Sequence, residues 1–379
     1  MKFATRLVSF DVSPADPHRP MSTPIYQTAT FEQLQADSFG EYDYSRSGNP
    51  TRKVLEDQIA ALEDGIRGFC FSSGMSAIAT VTHLLKAGDE ILADWDLYGG
   101  VSRLFGKVLN RSGIGIRYVD ASDPDSVARQ VTPATRLIYV ESPTNPFLRV
   151  IDLRAIAAVA REHGALFCVD NSTMSPYLQN PLTLGADIVL HSATKFLCGH
   201  SDVTAGTIVV KDQNLADEIY FLQNAEGTAL GPFDCFLLLR GLKTLKLRVD
   251  TQQRNAEVIA EFLSLHPKVS SVYYPGLSTH RDFSVQQAQA RGGGAVLSFT
   301  VNSHRSAKQI AESSKLFCIS VSFGSVNSTI SIPLNMSHAS VPIELRASRA
   351  LPDNLLRLSV GIEDHEDLIQ DLSGQLEVI

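Results

Sequence analysis

The chain has 379 residues, 44% of them hydrophobic, which suits a globular protein of two domains rather than one compact core. Its 41 acidic side chains outnumber its 33 basic ones and no basic block occurs. That balance argues against partners such as nucleic acid or an anionic membrane surface and leaves a small molecule as the expected partner.

The opening stretch, MKFATRLVSFDV, contains Asp11 and lacks the apolar core of a secretory signal. No apolar run of about 18 residues follows, so the expected location is cytoplasmic, or a plastid stroma if a transit peptide has been removed. Residues 1–50 have weak periodicity and carry Pro17, Pro20 and Pro24; they are expected to form an arm lying on a neighbouring subunit. Cys70, Cys168, Cys198, Cys235 and Cys318 are odd in number and never spaced as C-x-x-C. They read as reduced thiols serving as small core residues.

From Gly68 to Val210 short apolar runs alternate with helical patterns. The runs are GFCF, EILAD, GIRYVD, RLIYVE, ALFCVD, DIVLH and GTIVV, and the helical patterns cover 75–86, 99–110, 123–131 and 152–163. Strand runs without polar alternation, separated by helices, predict an α/β fold: a mostly parallel seven-stranded sheet with helices on both faces. Between Pro232 and Pro267 the apolar residues fall at helical spacing, which predicts a long helix joining two domains. Beyond it VSSVYYPG, GGAVLSFTV and STISIP predict strands of a smaller α+β domain, with helices near 305–315 and 363–376. RGGGAV at 291–296 reads as a turn entering a strand. The expected division is an arm at 1–50, a cofactor domain at 51–240 and a C-terminal domain at 241–379.

The segment DIVLHSATKFLCGHSD places Lys195 straight after an apolar strand, beside the hydroxyls of Ser192 and Thr194. A desolvated lysine near other positive charge has a lowered pKa, and its neutral amine can form an imine with an aldehyde cofactor. Read by itself, Lys195 is equally a snorkelling surface lysine. Asp170 ends the run ALFCVD, and in a parallel sheet the carboxyl ends of strands share the edge where ligands sit. An Asp there can hold a pyridinium nitrogen. In FCFSSGMSAIATVTHLL, Gly74 and Met75 open a helical pattern with free N–H groups suited to a phosphate. The segment matches neither G-x-x-x-x-G-K-[ST] nor G-x-G-x-x-G, which disfavours a nucleotide-binding reading. Tyr98, in WDLYGG, is placed to stack on an aromatic cofactor. His191, His200 and His338 lack metal-ligand spacing, so no metal is expected.

Taken in order, YDYSRSGNPT at 42–51, Gly74-Met75, Tyr98, ESPTNP at 141–146, VDNS at 169–172 and SATK at 192–195 resemble the Cys/Met-metabolism family of fold-type I enzymes that use pyridoxal 5'-phosphate (PLP). Within that family the likeness is greatest to plant-type cystathionine β-lyases, through GPFDCFLLLRGLKT, SVSFGSV, MSHAS and LRLSVGIED. The resemblance implies Lys195 as the Schiff-base lysine, Asp170 as partner of the pyridine nitrogen and Tyr98 stacked on the ring. It implies a phosphate held by the Gly74 and Met75 backbone, by Ser192 and Thr194, and by Tyr44 and Arg46 reaching in from a neighbouring subunit. It implies Arg357, helped by Asn145 and Ser322, as the clamp for a substrate carboxylate, and a dimer-based homotetramer as the assembly. Read alone, Arg46 and Arg357 are solvated charges.

The same resemblance implies β-elimination of L-cystathionine to homocysteine, pyruvate and ammonia, in methionine biosynthesis. Cystathionine γ-lyase or γ-synthase chemistry is the alternative on the same core residues. Against it, Asn327 in GSVNS stands where γ-lyases typically carry Glu, and Tyr98-Gly99-Gly100 stands where methionine γ-lyases read Tyr-Gly-Cys. MSH at 336–338 departs from the commoner Met-Thr-His in the direction of the β-lyases. A non-catalytic PLP-binding regulatory protein is the alternative of another class.

Overall fold

The computed structural model describes residues 1–9, 18–336 and 351–379. Seven strands form the larger sheet: β1 Arg67–Phe71, β2 Glu90–Asp94, β3 Gly115–Val119, β4 Thr135–Glu141, β5 Leu166–Asp170, β6 Ile188–Ser192 and β7 Gly206–Val210. They lie in the order β1-β7-β6-β5-β4-β2-β3. β7 runs antiparallel to both its neighbours, β1 and β6, and the remaining pairs are parallel. Every one of these strands matches an apolar run in the sequence. The reason is burial on both faces: Val140, Val169 and Val189 point into one apolar layer, and Tyr139, Cys168 and Leu190 into the other.

Helices begin where the sequence supplies caps. Asn49 accepts from the N–H groups of Thr51 and Arg52 at the head of the helix Pro50–Leu62, with Pro50 at its first position. Asp152 and Asp212 cap the helices Leu153–Glu162 and Gln213–Glu226 in the same way.

The smaller sheet consists of β8 Val269–Tyr273, β9 Val296–Val301, β10 Cys318–Ile319, β11 Thr329–Ser331 and β12 Leu355–Ser359, in the order β10-β11-β12-β9-β8. β12 does not stand out in the sequence, because Arg357 interrupts its apolar run. It is nevertheless buried throughout and pairs antiparallel with β9, Arg357 opposite Ser298. One continuous apolar cluster links the sheets, running from Val189 and Ala193 through Leu238 and Ile259 to Phe299 and Leu356.

Two expectations need correction, the single long helix and the burial of Cys318. The long helix is two helices, Pro232–Leu242 and Leu245–Leu265. The chain turns at Lys243–Thr244, where the Gly241 carbonyl accepts from Thr244 N–H and from Arg248 Nη2; Gly241 itself packs so close to Cys198 that a Cβ there would meet the Cys198 carbonyl oxygen at 2.4 Å. The arm begins with a short helix, Phe3–Val8, that buries Leu7 against this same chain and has its Leu7 carbonyl held by Gln58 Nε2; one buried position in six residues leaves no periodicity to read. Cys318 is exposed on β10, while the other four thiols are buried. Among the described residues, no helix is long and apolar enough to cross a membrane.

Candidate active site

β4, β5 and β6 end at one sheet edge with Glu141, Asp170 and Ser192, the edge at which open α/β sheets bind ligands. The chain then turns from Ser192 to Lys195, and β12 brings Arg357 to the same place from the smaller sheet. A cavity of about 470 Å³ lies between them, within the usual range for small-molecule sites.

The cavity floor is built by close backbone approach. Ser73 caps the helix Gly74–Thr82 by accepting from Ser76 N–H at 3.0 Å, and the first N–H groups of that helix have no intrahelical acceptor. A Cβ on Gly74 would meet Ser192 Cβ at 2.9 Å, and one on Gly206 would meet the Ser73 carbonyl oxygen at 2.3 Å. These glycines let the helix start lie directly against β6 and β7. The result is an anion cradle beside Ser192 and Thr194.

Lys195 is part-buried in the wall of this cavity. Burial first, then the positive charge of Arg357, lower its amine to about 8. Its Nζ donates to Ser322 Oγ and lies 5.0 Å from the centre of the Phe323 ring. Arg357, far from being a solvated charge, is 2% exposed. It donates through Nη1 to Asn145 Oδ1 at 3.1 Å and through Nη2 to the Ser322 carbonyl at 2.5 Å, while its buried Nε has no hydrogen-bond partner among the described residues. Burial holds its guanidinium down to about 10.

Asp170 is buried, which pushes its carboxyl upward, and it accepts from Ser172 N–H at 2.9 Å. Tyr98 lies across the cavity, half exposed, with its N–H donating to Glu141 Oε1 at 2.9 Å. Glu141 was not picked out in the sequence. Its position in ESPTNP, at the end of a buried parallel strand, is the signal that could have found it. Arg103, Ser172, Phe323 and Met336 also line the cavity without having been singled out as site residues.

Tyr44 and Arg46 do not line the cavity of their own chain; Arg46 Nη1 donates to the Asn224 carbonyl at 2.8 Å. Asn327 is exposed and also lies outside the lining. Of MSH, Met336 lines the cavity, and Ser337 and His338 lie outside the described residues. His191 is buried against Glu63 at 2.7 Å, and His200 Nδ1 meets the Cys198 carbonyl at 2.7 Å.

A desolvated primary amine, an anion cradle within reach of it and a buried carboxyl on the neighbouring strand fit an aldehyde cofactor that carries a phosphate and a ring nitrogen. The fold and the site thus define an enzyme of the fold-type I PLP class. Residues 4–377 match the family described as Cys/Met metabolism PLP-dependent enzymes. The chain is 53% identical over 369 residues to the chloroplastic cystathionine β-lyase of Arabidopsis thaliana, covering 97% of this chain and 79% of that one. It is 45% identical to the cystathionine γ-lyase of Bacillus subtilis strain 168, over the whole of both chains. The crystal structure of cystathionine γ-lyase from Lactobacillus plantarum complexed with L-serine superposes with a TM-score of 0.95 at 42% identity, covering 100% of this chain and 99% of that one. The chain therefore belongs to the Cys/Met metabolism family of PLP-dependent enzymes, and PLP is its cofactor.

Proposed function

We propose that this enzyme catalyses β-elimination of L-cystathionine, yielding homocysteine, pyruvate and ammonia. The observation that carries chemistry at Cα is Lys195, an amine lowered to about 8 by burial and therefore able to act as a base near neutral pH; the choice of the β route rests on the relatives below. When bound, PLP supplies an electron sink for the pair left at Cα. Lys195 takes the Cα proton, and Ser322 Oγ steadies the amine between uses. Arg357 clamps the α-carboxylate, with Asn145 and Ser322 holding the guanidinium in plane. Asp170 would face the ring nitrogen of bound PLP, Tyr98 would cover the ring, and Gly74, Met75, Ser192 and Thr194 would hold the phosphate.

β-Elimination asks for removal of one proton at Cα and its delivery to the sulfur leaving Cβ, both within the scope of one base, after which water hydrolyses the remaining enamine to pyruvate and ammonia. A γ route asks that base to work at Cβ as well. The identity to the Arabidopsis thaliana β-lyase supports the first route. The full-length match to the Bacillus subtilis γ-lyase favours the second as the competing reading. Supplying L-cystathionine and separating the products decides: pyruvate with homocysteine is expected, and 2-oxobutyrate with cysteine as the main products would sink the proposal.

Tyr44 and Arg46, outside the cavity of their own chain, are proposed to complete the phosphate site of a neighbouring copy. The assembly is then a homo-oligomer with dimer-based sites. Mixing an Arg46→Ala chain with a Lys195→Ala chain tests it, since shared sites regain activity in the mixture and self-contained sites do not.

A further inference from the structure

Asp170 and Glu141 are register partners at the ends of β5 and β4, and both are buried. Burial, and after it the charge of Asp170, push the Glu141 carboxyl well above the ordinary range; burial alone pushes Asp170 upward. A carboxyl that is to hold a ring nitrogen as a cation must itself remain ionised, so the donors that reach it matter. One is the Ser172 N–H on Oδ1. Ser172 also donates through its hydroxyl, and the Tyr139 hydroxyl reaches Oδ2 at 3.4 Å.

Tyr139 is fully buried and stands two residues before Glu141 on β4, on the same face of the sheet. Its ring packs edge-on against Phe105 at 5.5 Å, which fixes where the hydroxyl points. Burial, then the nearby Asp170 and Glu141, push the phenol far above its usual value, so it stays protonated and can donate to Asp170. The 3.4 Å separation is longer than an optimal O–H···O contact, and such contacts tighten when the ligand is in place.

We propose that Tyr139 is a positioning residue of the cofactor site, its buried hydroxyl aiming and stabilising the Asp170 carboxylate for the ring nitrogen of PLP. The proposal rests on the assignment of Asp170 to that nitrogen. Tyr139→Phe removes the hydroxyl and keeps the ring against Phe105.

The test uses the full-length apo protein and measures dissociation constants for PLP and for its 1-deaza analogue, in which the ring nitrogen is replaced by C–H. The apo melting temperature is measured alongside. Wild-type protein is expected to prefer PLP. In Tyr139→Phe, PLP binding is expected to weaken roughly tenfold, as for loss of one hydrogen bond to a charged group, with binding of the analogue unchanged. Equal losses for both cofactors, or no loss for either, overturn the role of Tyr139. In an Asp170→Asn background the same change is expected to add nothing, and a further tenfold loss there also overturns it. A wild-type protein that does not distinguish the two cofactors overturns the Asp170 assignment, and this proposal with it.

Discussion

Lys195 Nζ donates a hydrogen bond to Ser322 Oγ across 127 positions of sequence. Ser322 sits at φ 78°, in the left-handed region that few non-glycine residues occupy, and its carbonyl accepts from Arg357. One residue thus touches both the amine proposed as the base and the guanidinium proposed as the carboxylate clamp. Ser322→Ala is expected to lower kcat about tenfold, since a hydrogen bond to a charged group contributes about 1.5–3 kcal/mol, with a smaller change in KM. Steady-state kinetics on cystathionine check this, and an unchanged kcat would remove Ser322 from the positioning of Lys195.

The amine of Lys195 also makes stability depend on pH. Its folded value of about 8 lies below the ordinary 10.5, so between those values the unfolded chain binds one more proton than the folded one. Stability of the apo protein therefore rises as pH climbs through that window, by up to about 3 kcal/mol. Urea unfolding at pH 7.5 and 9.5 is expected to show the rise in wild type and its loss in Lys195→Met. The same variant is expected to lose the covalent link to PLP, read as absence of a mass increase after borohydride reduction.

Gly100 is demanded by Tyr98. A Cβ at that position would come within 2.5 Å of Tyr98 Cε1 and 3.0 Å of Met75 Sδ, so Gly100→Ala must displace the ring from the cavity. PLP affinity is expected to fall several-fold with the fold intact, measured by cofactor titration and melting temperature. Unchanged affinity would show that the ring does not stack on the cofactor.

Arg357→Lys is expected to raise KM for cystathionine by about 100-fold, because an ammonium cannot present the planar fork of a guanidinium. It also leaves Asn145 Oδ1 without its 3.1 Å donor. Kinetics with cystathionine and with a substrate analogue lacking the α-carboxylate check it. The penalty should vanish for the analogue.

Much of the site was legible because it is written in local pattern. Asp170 and Lys195 each follow a continuous apolar run, and Gly74 opens a helix directly after one. Such runs arise where a strand is buried on both faces, so the residue ending the run falls at the ligand edge. Glu141 obeys the same rule and was passed over because a strand-end carboxylate carries no role until its neighbour is known. Tyr139 reads as one more apolar position in RLIYVE. Its meaning comes from Asp170, 31 positions away.

What the sequence by itself determined is therefore the larger sheet and the placing of Asp170, Lys195 and the Gly74 helix start at its ligand edge, each specified by residues adjacent in the chain. The tertiary structure alone decided the rest. β12 had to pair with β9 before its Arg357 could be buried rather than solvated. The break after Leu242 and the close approach of Gly241 to the Cys198 backbone appear only in the fold. The pKa of Lys195 depended on burial and on a guanidinium brought from the other sheet. Electrostatics and close packing act through space, and no window of sequence contains both partners.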